Sequence, residues 1–109
     1  MIYLTAETKI MLAVQSVDFR KQIDGLVALC EHTLQQSSRS GTLFVFINRS
    51  RTMIRVLSYE GNGYWLSTKR LSQGRYSGWP NCPEAICKLS ASELTRILKM
   101  VLAITTERD

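Results

Sequence analysis

The spacing of apolar positions changes several times along the chain, and each change marks an element. Ile10 to Val14, "IMLAV", is a short unbroken apolar run of strand length. Ser16 or Asp18 then offers a capping side chain. From Phe19 onward the apolar residues fall at Phe19, Ile23, Leu26, Val27, Cys30 and Leu34. That spacing predicts one stripe of an amphipathic helix over 19–36, stopped by the loop "SSRSG".

Three strands are expected next. Leu43 to Ile47 ("LFVFI") is continuously apolar, Ile54 to Tyr59 is mostly β-branched, aliphatic and aromatic, and Tyr64 to Leu71 follows the turn "EGNG". Glycine and asparagine tolerate positive φ, so Glu60 to Gly63 should close an antiparallel hairpin, and Asn48 to Met53 the turn before it. In the third strand Trp65, Ser67, Lys69 and Leu71 point one way and Tyr64, Leu66, Thr68 and Arg70 the other, so Lys69 and Arg70 cannot share a face. The stretch "QGRYSGWPNCP" reads as a loop. Ile86 to Leu89 is a further short strand, and Ser90 or Ser92 caps a last helix carrying Leu94, Ile97, Leu98 and Val101, with 105–109 as a frayed end. The expected fold is a single α+β domain over 1–109: a small antiparallel sheet, made of a three-stranded meander plus short N-terminal and C-terminal strands, packed on one face by two helices.

Composition narrows the function classes. A chain of 109 residues with a hydrophobic fraction of 45% is long enough for one core, and none of its apolar runs approaches the roughly 18 to 20 residues of a membrane span. Met1 to Thr8 has no positively charged stretch of the secretory kind, so the expected location is cytoplasmic and no membrane partner is expected. Three cysteines, Cys30, Cys82 and Cys87, cannot all pair, which argues against a disulfide framework and for a reducing compartment. With His32 they could be written as a zinc set, but the C-x-H and C-x4-C spacings do not fit the common sites, and no cofactor or metal is expected.

The charge is informative once it is located. Between Arg39 and Arg75 stand seven basic residues and one acid, a local balance of +6, while the rest of the chain holds seven basic and eight acidic residues, a balance of −1. The whole excess of +5 lies in the middle third, the electrostatic footprint of a nucleic-acid surface. Catalysis has little to stand on. His32, the lone histidine, falls within the predicted helix and off its apolar stripe, no carboxylates converge for a two-metal centre, and no glycine-rich phosphate loop precedes a helix. Arg49, Arg51 and Arg55 are the leading candidates for phosphate contact, with Arg20 and Lys21 near them if the helix start abuts that end of the sheet. Lys69, Arg70 and Arg75 follow, with Trp79 and Tyr76 as aromatics able to stack. Arg20 precedes Asp24 by four, an expected intrahelical pair. Gly25 falls on the polar side of the helix beside Asp18, Lys21, Gln22 and Leu29, where it would let another backbone approach; Asp18, Gln22, Gly25 and Leu29 are thus the candidate partner face.

Three segments together resemble a known family. "DFRKQIDGL" (18–26), "GTLFVFINRSRTMIRVL" (41–57) and "GYWLSTKRLSQGRYSGWP" (63–80) are similar, in order and spacing, to the TnpB accessory proteins of bacterial insertion sequences that carry tnpA, tnpB and tnpC. Asp18, Arg20, Lys21, Asp24, Gly25 and Leu26 match the first motif; Leu43 to Phe46, Asn48, Arg49 and Arg51 the second; Lys69, Arg70, Leu71, Gly74, Trp79 and Pro80 the third. Tyr76 stands where the family has phenylalanine, and Ser77-Gly78 looks like one extra residue before Trp79. The resemblance implies a non-catalytic protein needed for transposition beside a separate transposase. Its expected partners are duplex DNA and the transposase subunit of the same element; an adaptor that meets the transposase without useful DNA contact is the alternative.

Overall fold

The structure, a computed structural model, describes residues 4–102. Its elements are β1 (Ile10–Ala13), α1 (Ile23–Ala28), β2 (Leu43–Ile47), β3 (Met53–Glu60), β4 (Gly63–Arg70), β5 (Arg75–Tyr76), β6 (Ile86–Leu89), α2 (Ala91–Lys99) and β7 (Val101–Leu102). Five strands form one sheet in the order β4-β3-β2-β1-β6, while β5 and β7 pair as a separate two-stranded ribbon. The expected meander is present as β2-β3-β4. The all-antiparallel expectation is corrected at β1, which runs parallel to β2 and antiparallel to β6. An apolar tetrapeptide reads alike in either direction, so only the long connection from 14 to 42 decides it.

The two helices lie on opposite faces of the sheet, not together on one. Ile10, Leu12, Val45, Ile47, Ile54 and Val56 pack with Leu94 and Ile97 of α2 and with Tyr76. Ala13, Phe44, Phe46 and Leu57 pack with Val17 and with Leu26 and Cys30 of the α1 segment. Alternate residues of β2 thus serve two cores, and every residue from Phe44 to Ile47 is buried.

The first helix is shorter than its apolar stripe. Gln22 makes no side-chain cap, regular α-helix lasts only from Ile23 to Ala28, and the chain then widens into a π-type turn over Leu29–Thr33. Arg20 and Lys21 therefore precede the helix. In contrast, α2 starts as the sequence predicts: Ser90 Oγ accepts from Glu93 N–H and Glu93 Oε1 accepts from Ser90 N–H, a reciprocal capping box. Val101 belongs to β7 and not to this helix. The expected frayed end at 105–109 lies outside the described residues.

The cysteine expectation is also corrected. Cys82 and Cys87 are joined by a disulfide, their Cα atoms 6.0 Å apart, because the proline-bearing bend after Cys82 folds back onto β6. Cys30 is free and fully buried, and loss of solvation pushes its thiol from 9.0 up to about 12. That contribution to stability is in place below pH 9 and fades as pH rises toward 12. Native protein at pH 8 is expected to leave Cys30 unalkylated by iodoacetamide and to react at once in urea. Rapid labelling without denaturant would mean that the α1 segment opens readily. No helix among the described residues is long and apolar enough to cross a membrane.

Candidate nucleic-acid interface

The turn between β2 and β3 is built around one side chain. Asn48 Oδ1 accepts the backbone N–H groups of Thr52 (2.9 Å) and Met53 (3.0 Å), and Asn48 Nδ2 donates to Ser50 Oγ and Thr52 Oγ1 (both 3.1 Å). Its amide therefore spends all its hydrogen-bonding capacity on one six-residue turn. The backbone adds Asn48 N–H to Met53 O (3.2 Å) and Arg51 N–H to Asn48 O (3.1 Å). Arg51 is held at φ +62°, a left-handed conformation that a non-glycine residue adopts only when its surroundings impose it. Arg49, Ser50 and Arg51 are exposed at the tip.

A second segment is drawn alongside. Val17 N–H donates to Ile47 O (2.9 Å), which lays residues 17–20 against the turn. Between them opens a cleft of about 670 Å³, lined by Val17, Asp18, Phe19, Arg20, Asn48, Arg49, Ser50, Met53 and Arg55. Asp18 and Arg20 form an ion pair across its rim at 2.7 Å. The hydrogen bonds from Arg20 hold the Asp18 carboxyl down at about 2, so it is ionised throughout the physiological range. Both groups are exposed, which makes the pair a positional device more than a source of stability. The pairing with Asp24 expected from the sequence is not made, because residues 19–22 are not helical.

Arg55 has a different role from its two sequence neighbours. Its Nη1 donates to the carbonyls of Phe19 (2.8 Å) and Lys21 (3.0 Å), its Nε donates to Thr68 Oγ1 (3.1 Å), and its guanidinium carbon lies 4.7 Å from the centroid of the Phe19 ring. It staples the 19–21 segment to the sheet, with one edge of the guanidinium left for the cleft. Among the described residues, Arg20 alone is in an ion pair; Arg49 and Arg51 have no acidic partner.

The remaining candidates divide. Arg70 stands directly across from Met53, on the face of Arg55 and Thr68, and Leu71 N–H donates to Thr52 O (2.9 Å), so the end of β4 borders the turn. Tyr76 N–H donates to Arg51 O (2.8 Å), which brings exposed Arg75 next to Arg51. Lys69 belongs to the opposite face, where it lines a groove with Leu94 and Leu98 of α2. Trp79 is half-buried against the α2 core and its indole N–H donates to Ala13 O (3.0 Å), and Tyr76 is 1% exposed; neither ring is free to stack on a base. Lys21 lays its side chain over Gly25, where an added Cβ would meet Lys21 Cβ at 3.0 Å, so the glycine makes room for the protein's own chain. Leu29 packs against the α1-side core and does not point outward, while Asp18 belongs to the cleft and Gln22 is exposed at the helix start.

The surface brought together is thus Arg20, Arg49, Arg51, Arg55, Arg70 and Arg75 at one end of the sheet. All six are arginines, the side chain whose planar fork fits phosphate best. Two members of the site escaped sequence reasoning: Asn48, whose turn-forming chemistry is a legible signal, and Phe19, whose place under Arg55 is not.

A family model described as "IS66 Orf2 like protein" matches residues 8–106. The chain is 33% identical over 90 residues to "Uncharacterized protein y4jC" of Sinorhizobium fredii, a match covering 83% of this chain and 76% of that one. It is 30% identical over 90 residues to "Uncharacterized protein y4hO" of the same organism, covering 83% and 77%. No solved structure matches the chain.

Proposed function

The chain belongs to the IS66 Orf2-like family, the second-frame proteins of bacterial insertion sequences, and from that premise we propose that it is a non-catalytic transposition module that grips DNA phosphates with the arginine end of its sheet. The observation that carries this reading is the Asn48-clamped turn, which presents Arg49 and Arg51 with no acidic partner among the described residues, beside a cleft already lined by Arg20 and Arg55. Fixing the backbone that carries the two arginines before binding lowers the entropy lost on meeting a phosphate backbone. Arg70 and Arg75 extend the positive surface to either side, and the transposase subunit of the same element is the protein beside which this module acts. Among the described residues no three His, Cys, Asp or Glu side chains converge.

The test is fluorescence anisotropy with a labelled duplex from the end of its own element and with a scrambled duplex, each over a salt series. The variant is Arg49→Ala with Arg51→Ala; Arg55 stays, because it holds the 19–21 segment. The expected result is a log–log salt slope shallower by about 2 and affinity at least about tenfold weaker. Preference for the end duplex would add sequence selectivity. Absence of binding at low salt, or an unchanged slope in the variant, overturns the proposal.

A further inference from the structure

The outer edge of β4 is long, exposed and self-complementary. Leu71 N–H donates to Thr52 O in the same register that pairs Glu60 with Gly63 across the two-residue turn of Gly61 and Asn62. Odd-numbered residues of β4 therefore direct their backbone groups to β3, and Tyr64, Leu66, Thr68 and Arg70 direct theirs away from the sheet. No described strand takes them up. Proteins blunt an eight-residue edge of this kind with proline, a bulge or charge throughout. Here charge occupies only one end, Lys69 and Arg70, while the other carries Tyr64 and Trp65.

Both aromatics are fixed. Trp65 is 64% exposed, yet its indole N–H donates to Glu60 Oε1 at 3.0 Å. Ser38 gives its hydroxyl proton to Glu31 Oε2 (2.7 Å), so the Tyr64 hydroxyl must donate to Ser38 Oγ (2.7 Å), and the Tyr64 ring stands edge-on to Tyr59 with centroids 4.9 Å apart.

We propose that the occupant of this edge is a second copy of the same chain, paired antiparallel through β4 with the two-fold axis at Ser67. The outward backbone groups allow only registers in which residues of like parity face each other. Centring on Ser67 sets Trp65 across from Lys69 of the second copy on the α2 face, and Tyr64 across from Arg70 of the second copy on the α1 face, each pair made twice. Centring on Lys69 or Arg70 would oppose like charges, and centring on Leu66 or Thr68 breaks every aromatic–cation pair. Ser67, small and in a non-hydrogen-bonded row, suits the close approach at the axis. An axis perpendicular to the sheet keeps the α1 faces of both copies on one side and sets their arginine ends at opposite ends of the joined sheet. This inference does not depend on DNA binding, and its test uses no DNA.

Sedimentation velocity on the full chain across micromolar concentrations should show a monomer–dimer equilibrium. Trp65→Lys places like charges opposite each other and should weaken the dimer about tenfold or more, and adding Lys69→Trp, which restores the pairing in exchanged order, should recover it. Ser67→Cys should cross-link to itself under mild oxidation, since its Cα atoms would lie about 4.5 Å apart, whereas Lys69→Cys, displaced to about 13 Å, should not. Should Trp65→Lys fail to fold, the Ser67→Cys and Lys69→Cys contrast decides alone. A chain that stays monomeric, or a dimer that neither exchanges with the charge pair nor cross-links at Ser67, overturns the proposal.

Discussion

Phe46→Ala is expected to cost about 3 to 5 kcal/mol of folding stability, the range for deleting a fully buried aromatic ring. Phe46 is 0% exposed and lies in β2, the central strand of the five, where it meets Leu26 and Cys30 of the α1 segment. The segment has one regular helical stretch of six residues without a side-chain cap, so packing, more than its own hydrogen bonds, keeps it on the sheet. Removing the ring therefore weakens α1 as well as leaving a cavity. For a domain of ordinary marginal stability this loss takes a large share of the total. Urea unfolding followed by far-ultraviolet circular dichroism measures it, with the midpoint expected to fall and the slope to hold. A loss below about 1 kcal/mol would mean that the α1 face contributes little to the core.

How far the fold was legible can be judged from this same strand. "LFVFI" reads as a strand without difficulty, and its unbroken apolar character carries more: a strand with no polar alternation is covered on both faces. Placing both helices on one face neglected that signal, and the opposite placement of α1 and α2 is what it called for. The direction of β1 was not available, since four apolar residues carry no information on the sense of pairing. The start of α1 was misplaced because the apolar stripe begins at Phe19, four residues before regular helix; Phe19 is apolar for contact with Arg55, not for a helix face.

The candidate site was legible as a group and not as a division of labour. The excess of positive charge and the run Arg49, Arg51, Arg55 point to the end of the sheet where the cleft opens. That Arg55 is a staple follows from bonds to Phe19 and Lys21, 36 and 34 residues away, which no local pattern encodes. Strand alternation did separate Lys69 from Arg70 correctly, because a two-residue period needs no tertiary information. By residue type Tyr76 and Trp79 read equally as aromatics able to stack or as anchors of their loop. Burial is a property of where a loop lands, and theirs lands in the α2 core.

Asn48 is where fold and candidate function meet, so its substitution should separate them. Asn48→Ala leaves the N–H groups of Thr52 and Met53 without their acceptor, and removes both bonds to Ser50 and Thr52 hydroxyls, in a half-buried turn. The expected cost is about 2 to 4 kcal/mol. The left-handed Arg51 loses what holds it and relaxes, so the backbone that carries Arg49 and Arg51 is no longer fixed. Net charge is unchanged, and any fall in DNA affinity then reports lost preorganisation. Asn48→Asp is the complementary change: a carboxylate still accepts both N–H groups, and the Ser50 and Thr52 hydroxyls can turn to donate to it. It should retain stability to within about 1 kcal/mol while placing a negative charge in the cleft, weakening DNA binding at low salt more than at high salt. Urea midpoints and anisotropy on both variants make the comparison. If alanine leaves the midpoint unmoved, Asn48 does not organise the turn; if aspartate leaves affinity unmoved at low salt, phosphate does not approach the cleft.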